Sequence, residues 1–154
     1  MGLTTILIKQ EQLTRNTIIG GNVDTDRYLQ AIKACQNLYI KPLLGATLYN
    51  KIVSDFETNT LSGLYLEMFD DYIVEMIIHG SSEIYLSQAP YMVTNNGITK
   101  SKTDNSETVS KEEIDYLVEA SRKLYNLYET EFLKWIKNNT IPEYDKPCGV
   151  KHKQ

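Results

Sequence analysis

Apolar residues recur every three or four positions along most of the chain, a spacing typical of helices with one buried face. Four helices are predicted, over residues 25–39, 42–56, 62–79 and 110–138. The first carries its apolar stripe on Tyr28, Ile32, Cys35 and Tyr39. Apolar side chains cover more than half the girth of the third helix, which predicts a central position for it.

The predicted helix boundaries rest on proline, glycine and capping residues. Pro42 is expected to restart the chain, because proline is tolerated in a first helical turn but not in a helix interior. Gly80 is expected to break or bend the third helix before a last piece to about Ser87. Ser110 and Glu113 form a capping box that starts the final helix. That helix extends over about 28 residues, or roughly 42 Å.

Shorter segments complete the predicted architecture. Residues 91–101 are expected to form a β-hairpin around Asn95-Asn96-Gly97, because Asn and Gly supply the positive φ of a tight turn. Residues 1–23 form an N-terminal arm, with a short strand at 6–8, that must pack on its own body or on a neighbour. The fold is therefore predicted as mainly α: a four-to-five-helix bundle with a long C-terminal helix, a small hairpin and extended arms. The predicted boundaries are an arm at 1–23, a helical domain at 24–139 and a basic tail at 140–154.

Composition and charge narrow the classes of protein. The 154 residues include 20 acidic and 16 basic side chains and 11 tyrosines, with a formal net charge of −4. A general nucleic-acid binder would show a basic excess, so that class is disfavoured. No apolar run reaches the ~20 residues of a membrane span. The two cysteines lie far apart and are interpreted as free thiols. Tyrosine suits half-buried surfaces and surfaces shared with a partner.

Charge is unevenly distributed along the chain. No Lys or Arg lies between Lys51 and Lys100, an interval that holds seven acidic residues. Within it, four carboxylates at helical spacing form a candidate channel-facing or interface stripe: Glu67, Asp71, Glu75 and Glu83. The tail carries Lys146, Lys151 and Lys153 and could contact phosphates or an acidic protein surface, or simply be solvated. Candidate contacts with other subunits or partners are Ile6, Ile8, Tyr91, Val93, Ile98, Tyr144 and the three tail lysines.

The sequence carries few residues in patterns typical of catalytic or metal-binding sites. Asp71, Glu75 and His79 could share one helix face and hold a metal, but zinc and di-iron sites need more donors. His79 is therefore expected to be an exposed or interface histidine. Cys35 lies on the core stripe, and no nucleophile motif or phosphate loop appears. We accordingly predict no enzyme activity, no metal and no cofactor.

Aromatic residues on the final helix have two interpretations. Tyr125, Tyr128, Phe132 and Trp135 form a stripe. Core packing is the simpler explanation. The alternative is an oligomer contact, because Tyr and Trp are enriched at the energetic centres of interfaces.

The order of these segments resembles a known family. An arm precedes a helix carrying Asp24, Asp26, Leu29, Ala31 and Ile32, followed by Tyr39-Ile40-Lys41-Pro42-Leu43-Leu44-Gly45. After it come a second helix ending at Phe56, an apolar third helix, a hairpin and a long helix through Tyr125 and Leu133. Over about residues 6–141 this resembles the head–tail connector (adaptor, or head-completion) proteins of tailed bacteriophages, notably those of Bacteroidales and crAss-like phages.

The resemblance implies a structural role in the virion. Such proteins are helical subunits of a ring, commonly twelve-fold, that binds the portal on one side and tail or further ring proteins on the other. The ring surrounds a channel through which DNA passes without specific binding. The subunits are assembled in the bacterial host cytoplasm, involve no membrane and catalyse nothing. Their arms, hairpins and tails typically reach neighbours.

Two other interpretations remain open. One is a small helical adaptor or regulator that binds one protein partner as a monomer or dimer. The other is a small metal-dependent enzyme using Asp71, Glu75 and His79. In the ring, the acidic stripe could face the channel and repel DNA phosphates.

Overall fold

The computed structural model describes residues 4–17, 25–88, 91–94, 97–100 and 111–145. The chain is mainly helical, as the apolar periodicity predicts. The elements are α1 Gln10–Asn16, α2 Thr25–Cys35, a π-helical turn Gln36–Ile40 (π1), α3 Lys41–Leu44, α4 Ala46–Glu57, α5 Gly63–Met68, a second π turn Phe69–Ile73 (π2), α6 Val74–Gln88, strands β1 Tyr91–Thr94 and β2 Gly97–Lys100, and α7 Lys111–Asn138.

The break between the first two predicted helices lies at Gly45, not at Pro42. Helical backbone continues from α2 through π1 into α3, with Pro42 in the first turn of α3. The last backbone hydrogen bond before Pro42 is of the π type, from the Lys41 N–H to Gln36 O. The helical path therefore continues up to Pro42, which itself has no N–H to donate. Gly45 has φ +81° and ψ 155°, which ends α3, and α4 starts at the next residue. The prediction of a restart at Pro42 is therefore wrong.

The predicted break at Gly80 is also wrong. α6 is continuous through this residue, and the irregular segment is π2, further towards the N-terminus. A Cβ at position 80 would lie 2.6 Å from Cys35 Sγ and 3.3 Å from ring carbons of Tyr39 and Tyr125. Gly80 thus lets α6 approach both α2 and α7 closely. A single glycine within a helical pattern can therefore mark close packing as well as a break.

α6 is the central helix, as its apolar girth predicts. It packs against both α2 and α7, and it runs antiparallel to α7. The α6–α7 contact is close enough for the Ser82 and Ser121 hydroxyls to share a hydrogen bond of 3.2 Å. α7 is 28 residues long, which confirms the predicted long C-terminal helix. The largest fully buried side chains are Tyr28, Phe132, Leu7, Leu13, Ile32, Ile40, Leu44, Leu48, Ile52, Met68, Ile73 and Met76.

The N-terminal arm packs on its own body. Leu7, Ile8 and Leu13 are buried in the core. No strand forms at 6–8. The backbone of the arm is instead bonded to a side chain of the body: Gln36 accepts from the Leu7 N–H (2.9 Å) and donates to Thr5 O (2.7 Å). Ile8 is only 4% exposed within its own chain, so the predicted contact with another subunit would require the arm to leave the body. Ile6 is partly buried against the same core.

The first residues of the predicted basic tail also belong to the body. Ile141 is buried, and the half-buried Tyr144 lies edge-on to Phe132 with ring centroids 6.3 Å apart. The Tyr65 hydroxyl donates a 2.6 Å hydrogen bond to Glu143. Tyr144 is therefore engaged within its own chain. Lys146, Lys151 and Lys153 lie outside the described residues.

The strands β1 and β2 pair antiparallel, with Tyr91 opposite Lys100 and Thr94 opposite Gly97. They occupy the region of the predicted hairpin. They contact mainly each other, without extensive packing on any described helix. The turn residues 95–96 and the side chains of Tyr91, Val93 and Ile98 lie outside the described part of the structure. Among the helices in the described ranges, none is both long and apolar enough to span a membrane.

Candidate functional site

The four carboxylates of the predicted acidic stripe do not share one surface. Glu67 and Asp71 are exposed, and Glu67 accepts a 3.1 Å hydrogen bond from Trp135 Nε1. Glu75 is partly buried. Glu83 is only 6% exposed and is hydrogen-bonded to Arg122 of α7. A four-residue step overshoots a full helical turn, so the stripe drifts, and Glu83 ends on the side that packs against α7. Glu83 is therefore not part of an exposed acidic surface.

A groove lies between the π1–α3 segment and α7. Its volume is about 450 Å³. It is lined by Leu38, Tyr39, Pro42, Leu43, Glu83, Arg122, Tyr125, Asn126 and Glu129. Leu38 at the groove is 64% exposed, a large value for leucine. The groove thus combines an apolar wall from π1 and α3 with a charged wall from α7.

Two tyrosines and an ion pair belong to the lining of this groove. The rings of Tyr39 and Tyr125 are tilted, with centroids 5.3 Å apart. Burial raises the pKa of both hydroxyls, and the Glu129 carboxylate adds to the effect at Tyr125. The hydrogen bond and charge of Glu83 raise the pKa of Arg122. At neutral pH the two tyrosines are therefore protonated and Arg122 is charged.

His79 is buried, which overturns its prediction as an exposed or interface histidine. Its ring stacks on Tyr128 at 5.7 Å between centroids and 7° between planes. Its Nε2 atom lies 3.6 Å from a Glu75 carboxylate oxygen. Burial lowers the pKa of His79 and raises that of Glu75, because each charged form is less well solvated there. His79 therefore packs as a neutral ring.

The metal-site hypothesis gains no support from this arrangement. Across the described ranges, no three His, Cys, Asp or Glu side chains are grouped closely enough to hold a metal ion. Glu75 and His79 are adjacent, but Asp71 does not join them in such a group. His152 lies outside the described residues.

We expect His79 to make stability depend on pH. The unfolded histidine binds a proton near pH 6.5, and the folded one does so only at lower pH, so the free energy of unfolding falls as pH drops below about 6.5. Glu75 acts oppositely, because its raised pKa favours the folded state at low pH. In His79→Phe, which keeps a ring against Tyr128, the loss below pH 6.5 should disappear. Urea unfolding at pH 7.5 and pH 5.5 checks this, and an unchanged pH dependence would contradict it.

Cys35 is a packed thiol, as the core stripe predicts. It is buried, and burial raises its pKa to about 12. Its Sγ atom lies 3.9 Å from Met76 O. A thiol with so little thiolate at neutral pH is a poor nucleophile. Cys148 lies outside the described residues.

Neither the groove nor the role of Gln36 is predicted from the sequence. Leu38 offered a signal for the groove, because it is a large apolar residue that lies off the stripe of Tyr28, Cys35 and Tyr39. Gln36 offered none beyond being a polar residue next to that stripe. The aromatic stripe on α7 packs as expected in part: Tyr125 and Phe132 are buried, and Tyr128 and Trp135 are partly buried against the core.

Comparison with known proteins assigns a family without a function. Residues 40–154 match the model of a family of unknown function, DUF6712. Because this match covers more than half of the chain, the protein belongs to that family. The match begins within π1 and includes the groove residues from Pro42 onwards, α6, the strands and α7. No curated protein and no solved structure matches the chain.

Proposed function

We propose that the protein is a structural subunit of the connector ring that joins the portal to the tail in a tailed bacteriophage. The observation that carries this proposal is the pair β1–β2, whose strands contact mainly each other. An isolated two-stranded hairpin is marginal in water, and its open edges can pair with another chain. The hairpin is therefore expected to pack on a partner, the first of which is another copy of this chain.

The helical body suits a ring subunit. α7 is roughly 42 Å long and is fixed along α6, which gives a rigid element on which contacts can be placed. Exposed apolar side chains occur on its surface, including Tyr116, Leu124 and Leu127. Such residues can take part in contacts between copies, with the portal on one side and tail proteins on the other.

The exposed part of the acidic stripe fits passage of DNA. Glu67 and Asp71 are both exposed, near the start of the helical run that leads into α6. Carboxylates on a channel wall would repel phosphates and prevent DNA from adhering. In this proposal the ring lies at the head–tail junction of the virion, binds DNA at no specific site and performs no catalysis.

A charge change on the hairpin tests the assembly role. Val93 and Ile98 are partners in the register of the two strands, so Val93→Asp with Ile98→Asp places two like charges at paired positions. We expect this variant to fold with an unchanged urea midpoint for the helical body but to fail to form rings with the portal and tail proteins of the same phage. Mass photometry of the mixture measures assembly.

The matched control puts the same two charges at the end of α6. Ser87 and Gln88 are exposed, so Ser87→Asp with Gln88→Asp should assemble like the unchanged chain. If the hairpin variant assembled as well as this control, the hairpin would not be part of the interface. A wild-type chain that stays a dimer regardless of portal would instead support the adaptor interpretation.

A further inference from the structure

We propose that the groove between α3 and α7 is the docking site of the chain's own C-terminal segment, residues 146–154. This inference does not depend on the connector role. It rests on where the described chain ends, on the chemistry of the groove and on the composition of the segment.

The described chain ends beside the groove. Gly45 faces the last described residue, because a Cβ at position 45 would lie 3.6 Å from Asp145 O. Pro42 and Leu43, which line the groove, precede Gly45 by two or three residues, which is less than one helical turn of about 5.4 Å. Tyr144 is held on Phe132, so the exit point of the segment is fixed on the body.

The segment is long enough to cover the groove. The α7 wall runs from Arg122 to Glu129, seven steps of 1.5 Å or roughly 10 Å. Nine residues can span up to about 30 Å when extended. Reach therefore does not limit docking within one chain.

Charge and polarity are complementary. Arg122 is already paired with Glu83, so Glu129 leaves the lining with one net negative charge. The segment Lys146–Gln154 carries three lysines and no acidic side chain. Its apolar residues Pro147 and Val150 lie between those lysines and match the wall formed by Leu38, Pro42 and Leu43.

Cys148 offers a direct probe in the full-length chain. A nitroxide reagent should label Cys148 alone, because Cys35 is buried with a raised pKa. We expect the label to broaden the amide NMR signals of Leu38, Leu43 and Asn126, and mass spectrometry confirms a single label. Broadening that is absent from these residues, or spread evenly over the surface, would overturn the proposal.

Charge reversal tests specificity. Glu129→Lys should lower groove occupancy about two- to threefold, the size expected for an exposed ion pair. Adding Lys151→Glu and Lys153→Glu to that variant should restore it. Glu131→Lys, an equal charge change at an exposed α7 residue outside the groove lining, should have no effect. Equal loss in Glu131→Lys and Glu129→Lys would contradict a specific site.

A mixing experiment separates the chain's own segment from that of another copy. Isotope-labelled protein without nitroxide is mixed with nitroxide-labelled protein of natural isotope content. We expect no broadening in the isotope-labelled molecules. Broadening there at Leu38 and Asn126 would assign the groove to a neighbouring copy's segment and overturn docking within one chain.

Discussion

Gly80→Val is expected to lower the free energy of unfolding by about 3 kcal/mol, at the upper end of the usual cost of overpacking a core. A first methyl at this position would already lie 2.6 Å from Cys35 Sγ, inside contact distance. Valine adds two further carbons towards the Tyr39 and Tyr125 rings, each already 3.3 Å from the Cβ position. Urea unfolding monitored by circular dichroism measures the change.

Partial rescue should identify Cys35 as the clashing residue. Gly80→Ala alone should destabilise by less than Gly80→Val, because alanine restores helix propensity while adding one carbon. Cys35→Ala removes the sulfur atom, so Gly80→Ala should lower the free energy of unfolding by less in the Cys35→Ala background. The difference, a favourable coupling energy between the two changes, should be about 1 kcal/mol. Ser87→Ala on the exposed end of α6 should change stability little. Additive effects of the Gly80 and Cys35 changes would contradict close packing at this point.

Gln36→Met is expected to release the N-terminal arm and cost about 3 kcal/mol. Methionine keeps the length of the side chain but cannot bond Leu7 N–H or Thr5 O, and each buried backbone group left unpaired costs about 1–3 kcal/mol. The side-chain amide also donates to the Tyr49 hydroxyl at 3.2 Å, so one residue links the arm to α4. The Leu7 amide, protected in the unchanged chain, should exchange with solvent much faster.

The neighbouring residue is the control for this change. Asn37 is exposed and should tolerate Asn37→Ala within about 0.5 kcal/mol, with Leu7 exchange unaffected. If the Leu7 amide remained equally protected in Gln36→Met, the arm would be held by burial of Leu7 and Ile8 rather than by the glutamine.

The sequence predicts the helices but not where they are irregular. Apolar spacing identifies α4 and α7 because one buried face fixes their periodicity. Nothing in the spacing marks the π turns, which change the phase of a helix by inserting extra residues per turn. The predictions at Pro42 and Gly80 are wrong because the rules for these residues describe isolated, regular helices. The π1 turn is a local irregularity of the backbone, and the approach of Gly80 to Cys35 is a tertiary contact.

The candidate surfaces were predicted only in part. Spacing placed Glu67, Asp71 and Glu83 on one drifting stripe, but it could not show that Arg122, 39 residues later in the chain, meets Glu83. The sequence leaves open whether the arm packs on its own body or on a neighbour, and Ile8 is buried on its own body. His79 looked exposed because it follows acidic residues, whereas Tyr128 of α7 covers its ring. Contacts between distant segments decided each of these cases.

Cryo-electron microscopy of the virion neck tests the connector proposal most directly. We expect a closed ring between portal and tail, in which each subunit shows α7 packed along α6 and a hairpin that contacts the adjacent copy. Exposed Glu67 and Asp71 would face the DNA channel. A neck whose every ring is built from other folds, with this chain absent from the particle, would contradict the account.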